Sequence, residues 1–145
     1  MVADLLRIGV RARLDRAPER EVHAWRCDLE RGLIDDPAET RARLNGLDRG
    51  EYVIVELHLF AELSERGSLT RCGDTVVSGC WFSRSQRGEN LRHTSELVKD
   101  HLDDLQNDLA SHGLGFELEE LASLPIQIRL DEALVTKLDH DPLRS

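Results

Sequence analysis

Three groups of residues are of types that could do chemistry. Cys80 with His93 or His101 would supply a thiol and a base, two of the three parts of a nucleophilic site. His101, Asp104 and Asp108 stand at i, i+3 and i+7 of a predicted helix, on one face where a divalent cation could sit. Glu56, His58 and Glu62 share one side of a predicted strand, a setting for acid–base work if that side lines a cleft. Each has a plainer account. Cys80 lies inside a predicted strand and no Gly-x-Ser-x-Gly elbow is present, which favours a buried structural thiol. No His-Glu-x-x-His occurs, and acid-rich helix faces are commonly just solvated. The Glu56 side of its strand reads first as a solvent-exposed sheet face. No catalytic residue, metal or cofactor is therefore predicted.

Other chemistries find still less support. Neither Gly-x-x-x-x-Gly-Lys-Ser/Thr nor Gly-x-Gly-x-x-Gly occurs, and Gly113-Leu-Gly115 ends a predicted helix, where the dipole repels phosphate. The three cysteines, Cys27, Cys72 and Cys80, leave one unpaired in any disulfide scheme and form no zinc-knuckle spacing, which points to a reducing compartment. No apolar run approaches membrane-spanning length, and Asp4, Arg7, Arg11 and Arg13 interrupt the start, so a cytosolic location is expected.

Charge is the informative property. The chain has 145 residues and a net charge of −9. Residues 1–87 carry 14 basic against 15 acidic side chains, and residues 88–145 carry 5 against 13. Such a surface disfavours direct contact with nucleic acid or anionic lipid and suits a basic protein surface, with solubility alone as the plain alternative. Only Lys99 and Lys137 are lysines among the 19 basic residues, the arginine bias of a high-GC genome.

The elements that would carry these residues follow from periodicity. Leu6, Ile8, Val10, Ala12 and Leu14 alternate with Arg7, Gly9, Arg11 and Arg13, a half-buried strand with a cationic stripe. If that strand is an edge, the arginines would guard it; alternatively they would meet an acidic helix, the chain's own 96–108 or that of a second copy. Pro18 with Glu19 and Glu21 opens a helix through Val22, Trp25, Leu29 and Leu33, with a strand over 25–29 as the competing reading. Asp36-Pro37-Ala38-Glu39 opens a short helix that Asn45-Gly46 would stop. Residues 52–63 form the strongest strand, 69–82 a second with a bulge or turn at Gly73-Asp74, and 124–130 a last one. One long helix is predicted over 91–112 on the stripe Leu91, Ser95, Val98, Leu102, Leu105 and Leu109. A helical turn within 117–124 and a short helix over 131–138 complete the chain.

The expected fold is a single α+β domain over 1–138: about four strands in an antiparallel or mixed sheet, one long amphipathic helix and shorter helices packed on it. Residues 139–145 read as a frayed tail.

Ser78-Gly79-Cys80-Trp81-Phe82-Ser83, a polar loop, and a helix from Glu96-Leu97 to His112-Gly113-Leu114 resemble a stretch of small uncharacterised actinobacterial and phage proteins. The similarity spans residues 70–115. Where those proteins show an acidic loop, Arg84-Ser85-Gln86-Arg87 stands here. The resemblance implies a mobile-element origin and brings with it no known activity.

The functional expectation is a non-catalytic interaction module, with self-association as one form of it. A sharper alternative is an acidic inhibitor that mimics nucleic acid in the groove of a host defence or nucleic-acid enzyme. An enzyme of unrecognised type centred on His58 is the third reading. Expected contact residues are Asp100, Asp103, Asp104 and Asp108 on the acidic side, and Arg7, Arg11, Arg13, Trp81 and Arg84 on the cationic-aromatic side. Trp81 also has a plain reading as core.

Overall fold

In a computed structural model, which describes residues 4–140, four strands form one mixed sheet. Strands β1 (Asp4–Leu14), β2 (Tyr52–Glu65), β3 (Ser68–Ser83) and β4 (Ile126–Leu130) lie in the order β3-β2-β1-β4. β1 runs antiparallel to β2 and parallel to β4. The helices are α1 (Pro18–Glu30), α2 (Pro37–Asp48), α3 (Arg87–Asp100), α4 (Leu102–Ser111), α5 (Leu118–Ala122) and α6 (Glu132–Asp139). The α+β expectation holds, and residues 18–30 are helix. No described helix is long and apolar enough to cross a membrane.

The core is built on the apolar side of β2. Val53, Val55, Leu57, Leu59, Ala61 and Leu63 are buried there beside Ile8, Val10 and Ala12 of β1. Val98, Leu102, Leu105 and Leu109 of α3 and α4 close over them, joined by Leu121, Leu134 and Leu138. Period-two alternation on the strands and near-3.6 spacing on the helices therefore meet in one apolar layer.

The structure corrects several expectations. β1 is an interior strand, so its arginines guard no edge. The predicted long helix breaks at His101, whose φ of −112° and ψ of 16° leave the helical range, and α4 restarts at Leu102. Its first half also buries a different stripe, because Asn90 and Thr94 face inward while Leu91 stays 45% exposed. The polar groups are satisfied: Asn90 accepts from the Ser83 amide and donates to the Ser83 carbonyl, both at 2.7 Å, and Thr94 donates to the Asn90 carbonyl.

Asp36 caps α2 through Glu39 N–H at 3.1 Å, as expected, but Gly46 does not stop the helix. Gly46 is buried in the last turn of α2, where a Cβ would stand 2.5 Å from the Tyr52 ring; the chain turns at Gly50, with φ of +76°. β3 bulges twice against β2, at Gly73-Asp74 as expected and again near Gly79. Of the predicted tail, Asp139 belongs to α6 and pairs with Arg87 at 2.6 Å, His140 follows it, and residues 141–145 lie outside the described residues.

Candidate functional site

The second side of the sheet is divided in two. One half is covered by α1 and α2. Trp25 of α1 stacks on Trp81 of β3 with ring centroids 4.4 Å apart, Tyr52 meets Trp81 edge-on, and the Arg43 guanidinium lies over the same ring. Trp81 is thus half-buried in an aromatic clasp outside the main core. Gly79 lies under the same helix with φ of +72°, a conformation that favours glycine, and the Trp25 ring stands 3.4 Å from where its Cβ would be.

The other half is open and charged. β1 places Arg7, Arg11 and Arg13 opposite Glu62, His58 and Glu56 of β2. Glu56 and Glu62 are 2% and 1% exposed, so they are not the solvated acids of a simple outward sheet face. Burial of carboxylates requires partners, and the arginines supply them. Arg7 and Arg71 converge on Glu62, while Arg13 and Arg16 each reach Glu56 at 3.3 Å. Arg11 pairs with Asp131 through two hydrogen bonds. The result is a layer of guanidiniums over a layer of buried acids. The chain's own acidic helices pack on the opposite side of the sheet, so they do not meet this stripe.

His58 links the layers. Its Nδ1 lies 2.8 Å from Asp74 and its Nε2 lies 3.1 Å from Glu56. Both ring nitrogens of His58 thus lie against carboxylates of the fold, and Glu56 also holds two arginines. Asp74 was not legible as a partner, because the Gly73-Asp74 bulge turns it toward His58.

Cys80 is buried, with its thiol near the Val77 carbonyl. Burial first, then the charges of Asp15 and Glu21, pushes its pKa up to about 12. Neither His93 nor His101 makes a hydrogen bond to it. Alkylation of the native protein at about pH 8 should therefore modify the part-exposed Cys27 and Cys72 well before Cys80. Peptide mapping by mass spectrometry reads the order, and equal labelling of Cys80 would refute the assignment.

The predicted acidic residues separate into two kinds. Asp100, Asp103 and Asp104 are exposed, with Asp104 3.1 Å from His101. Asp108 turns inward to accept the Asp74 amide at 2.7 Å, which ties α4 to the β3 bulge. His101, Asp104 and Asp108 do not converge, and among the described residues no three His, Cys, Asp or Glu side chains group as metal ligands. Arg84 is bound to the fold itself: its guanidinium donates to the carbonyls of Gly50, Lys137, Leu138 and His140.

A groove of about 730 Å³ runs between α1, α2 and the end of the sheet, lined by Leu14, Val22, Leu47, Tyr52 and Ile54 with His23 and Arg26 at its rim. No protein-family model, curated protein or solved structure matches the chain.

Proposed function

We propose that the protein is a non-catalytic interaction module of the cytoplasm that presents the acidic surface of α3, α4 and α5 to a basic surface on a partner protein. One observation carries this reading: Glu96, Asp100, Asp103, Asp104, Glu117 and Glu119 are all exposed along three consecutive helices. On α3 the acids Glu89, Glu96 and Asp100 are matched in number by Arg87, Arg92 and Lys99, with Arg92 clasping Glu89 and Glu96, so the excess of negative charge lies on α4 and at α5; Asp100, Asp103 and Glu119 have no ion pair among the described residues. A field of one sign steers an oppositely charged partner and orients its approach. The bracketed His58, the triply held Glu56 and the buried Cys80 support the absence of catalysis.

Capture on the tagged full chain at low salt, followed by elution with rising salt, tests the reading. A single basic protein leaving sharply with salt is the expected result, because exposed charge pairs are screened. Retention indifferent to salt, or no protein retained, would overturn it. If the retained protein is a nucleic-acid-processing enzyme, the basic surface is its groove, and the mobile-element resemblance gains a purpose as an acidic mimic.

Self-association is the second reading, favoured by the arginine layer on the sheet side opposite the acidic helices. Head-to-tail contact between such unlike surfaces builds a ring or an open chain rather than a two-fold dimer. Sedimentation velocity would then show mass rising with concentration at low salt; a monomer throughout removes this reading.

A further inference from the structure

The two edges of the sheet are finished differently. β3 closes one of them with two bulges, and at the first of these the Asp108 carboxylate takes up the Asp74 N–H at 2.7 Å. Such devices keep an edge from pairing with another chain. β4, at the other edge, has no bulge: its register with β1 is regular from Ile126 to Leu130. Its one charge, Arg129, pairs with Arg11 on the open side of the sheet.

Two hydrogen bonds fix which way the backbone of β4 points. The Ile8 N–H donates to the Pro125 carbonyl at 3.0 Å, and the Asp131 N–H donates to the Ala12 carbonyl at 2.9 Å. Alternate residues of a strand turn their backbone groups to the same neighbour, so between these two bonds Gln127 and Arg129 face β1. Ile126, Ile128 and Leu130 therefore turn their N–H and C=O groups outward, where no described residue meets them. The side chains of these same residues lie on the core side, opposite Ile8, Val10 and Ala12. Those three are buried, whereas Ile126, Ile128 and Leu130 are only half-buried, so the core layer is open along β4.

This row is complementary to itself. With two copies antiparallel about a two-fold axis at Ile128, Ile128 exchanges both of its hydrogen bonds with Ile128 of the second copy. Ile126 does the same with Leu130 of the second copy, and no donor or acceptor is left over. On the core side Ile128 then packs on Ile128 and Ile126 on Leu130, while on the open side Arg129 stands beside Gln127. A foreign strand would have to match both the apolar row and the register; a second copy matches both by symmetry. We propose that the protein forms a two-fold dimer through the outer edge of β4, joining the two sheets into one. The contact rests on neither the acidic surface nor the arginine layer. It is made of backbone and apolar groups, so salt does not dissolve it, and screening relieves the repulsion between two chains of net charge −9.

Sedimentation velocity of the full chain from about 1 μM to about 1 mM, in about 0.5 M salt, is the first measurement. A monomer–dimer equilibrium that stops at two copies is expected. Amide hydrogen exchange at Ile126, Ile128 and Leu130 should be about tenfold or more slower in the dimer than in the dilute monomer. Ile128→Pro removes an outward N–H and none of the bonds to β1, and should weaken dimerisation by about tenfold or more. Circular dichroism checks that this variant folds; if it does not, the exchange of the wild-type amides decides. A monomer throughout, a dimer whose three β4 amides exchange as fast as in the monomer, or undiminished dimerisation of folded Ile128→Pro would overturn the proposal. So would a series of larger species that salt dissolves, the result expected of the charged head-to-tail contact.

Discussion

Leu105→Ala should destabilise the fold by about 2–5 kcal/mol, read as a lower urea midpoint with an unchanged slope. Leu105 is 0% exposed and reaches across to the Gly73 bulge of β3, so its loss leaves a cavity between α4 and the sheet rather than a surface dent. The adjacent Asp103 and Asp104 point away from that seam and are exposed. Asp103→Asn should therefore change stability by no more than about 0.5 kcal/mol. One helix thus carries a packing stripe and a charge surface that mutate independently. A Leu105→Ala protein as stable as wild type would mean that α4 is not seated as described.

Gly9→Val should cost about 1–3 kcal/mol by forcing the Phe60 ring off β1. The clash is steric and local, since Gly9 is buried and the ring occupies the space that any Cβ would need. Moving the ring also separates it from Arg71. The signature of this mechanism is non-additivity: with Phe60→Ala already present, Gly9→Val should cost much less than it does alone. Equal costs in both backgrounds would show that the ring is not what Gly9 accommodates.

The sequence carried the fold well where apolar periodicity was strong. The alternation of 6–14 and 52–63 and the Val98–Leu109 spacing correspond to β1, β2 and the α3–α4 seam. It carried less where a polar residue took a core position. Asn90 and Thr94 are buried because nearby backbone groups satisfy them, which no hydropathy pattern signals. His101 broke the helix without proline or glycine, so the apolar stripe ran through it unmarked.

The site was legible in composition and not in arrangement. Arg7, Arg11 and Arg13 on one side of β1 followed from period two, as did Glu56, His58 and Glu62 on one side of β2. Their pairing across the strands depends on register, which set Arg13 beside Glu56 and Arg7 beside Glu62 and so allowed the acids to be buried. Trp81 with Arg84 looked like one contact patch, yet Trp81 belongs to the clasp with Trp25 while Arg84 holds the end of α6. Asp108 looked equivalent to Asp103 and Asp104, and only the bulge at Gly73 shows that it is a tie within the fold. Neutralising all four acids together would therefore confuse a surface effect with a structural one.

The direct test of the acidic-surface account is the affinity of the captured partner for wild type and for the Asp100→Asn, Asp103→Asn, Asp104→Asn triple variant, at low and at high salt. The account predicts about a tenfold or greater loss at low salt, with the two proteins converging as salt screens the pairs. Equal affinity of wild type and variant at low salt would contradict it.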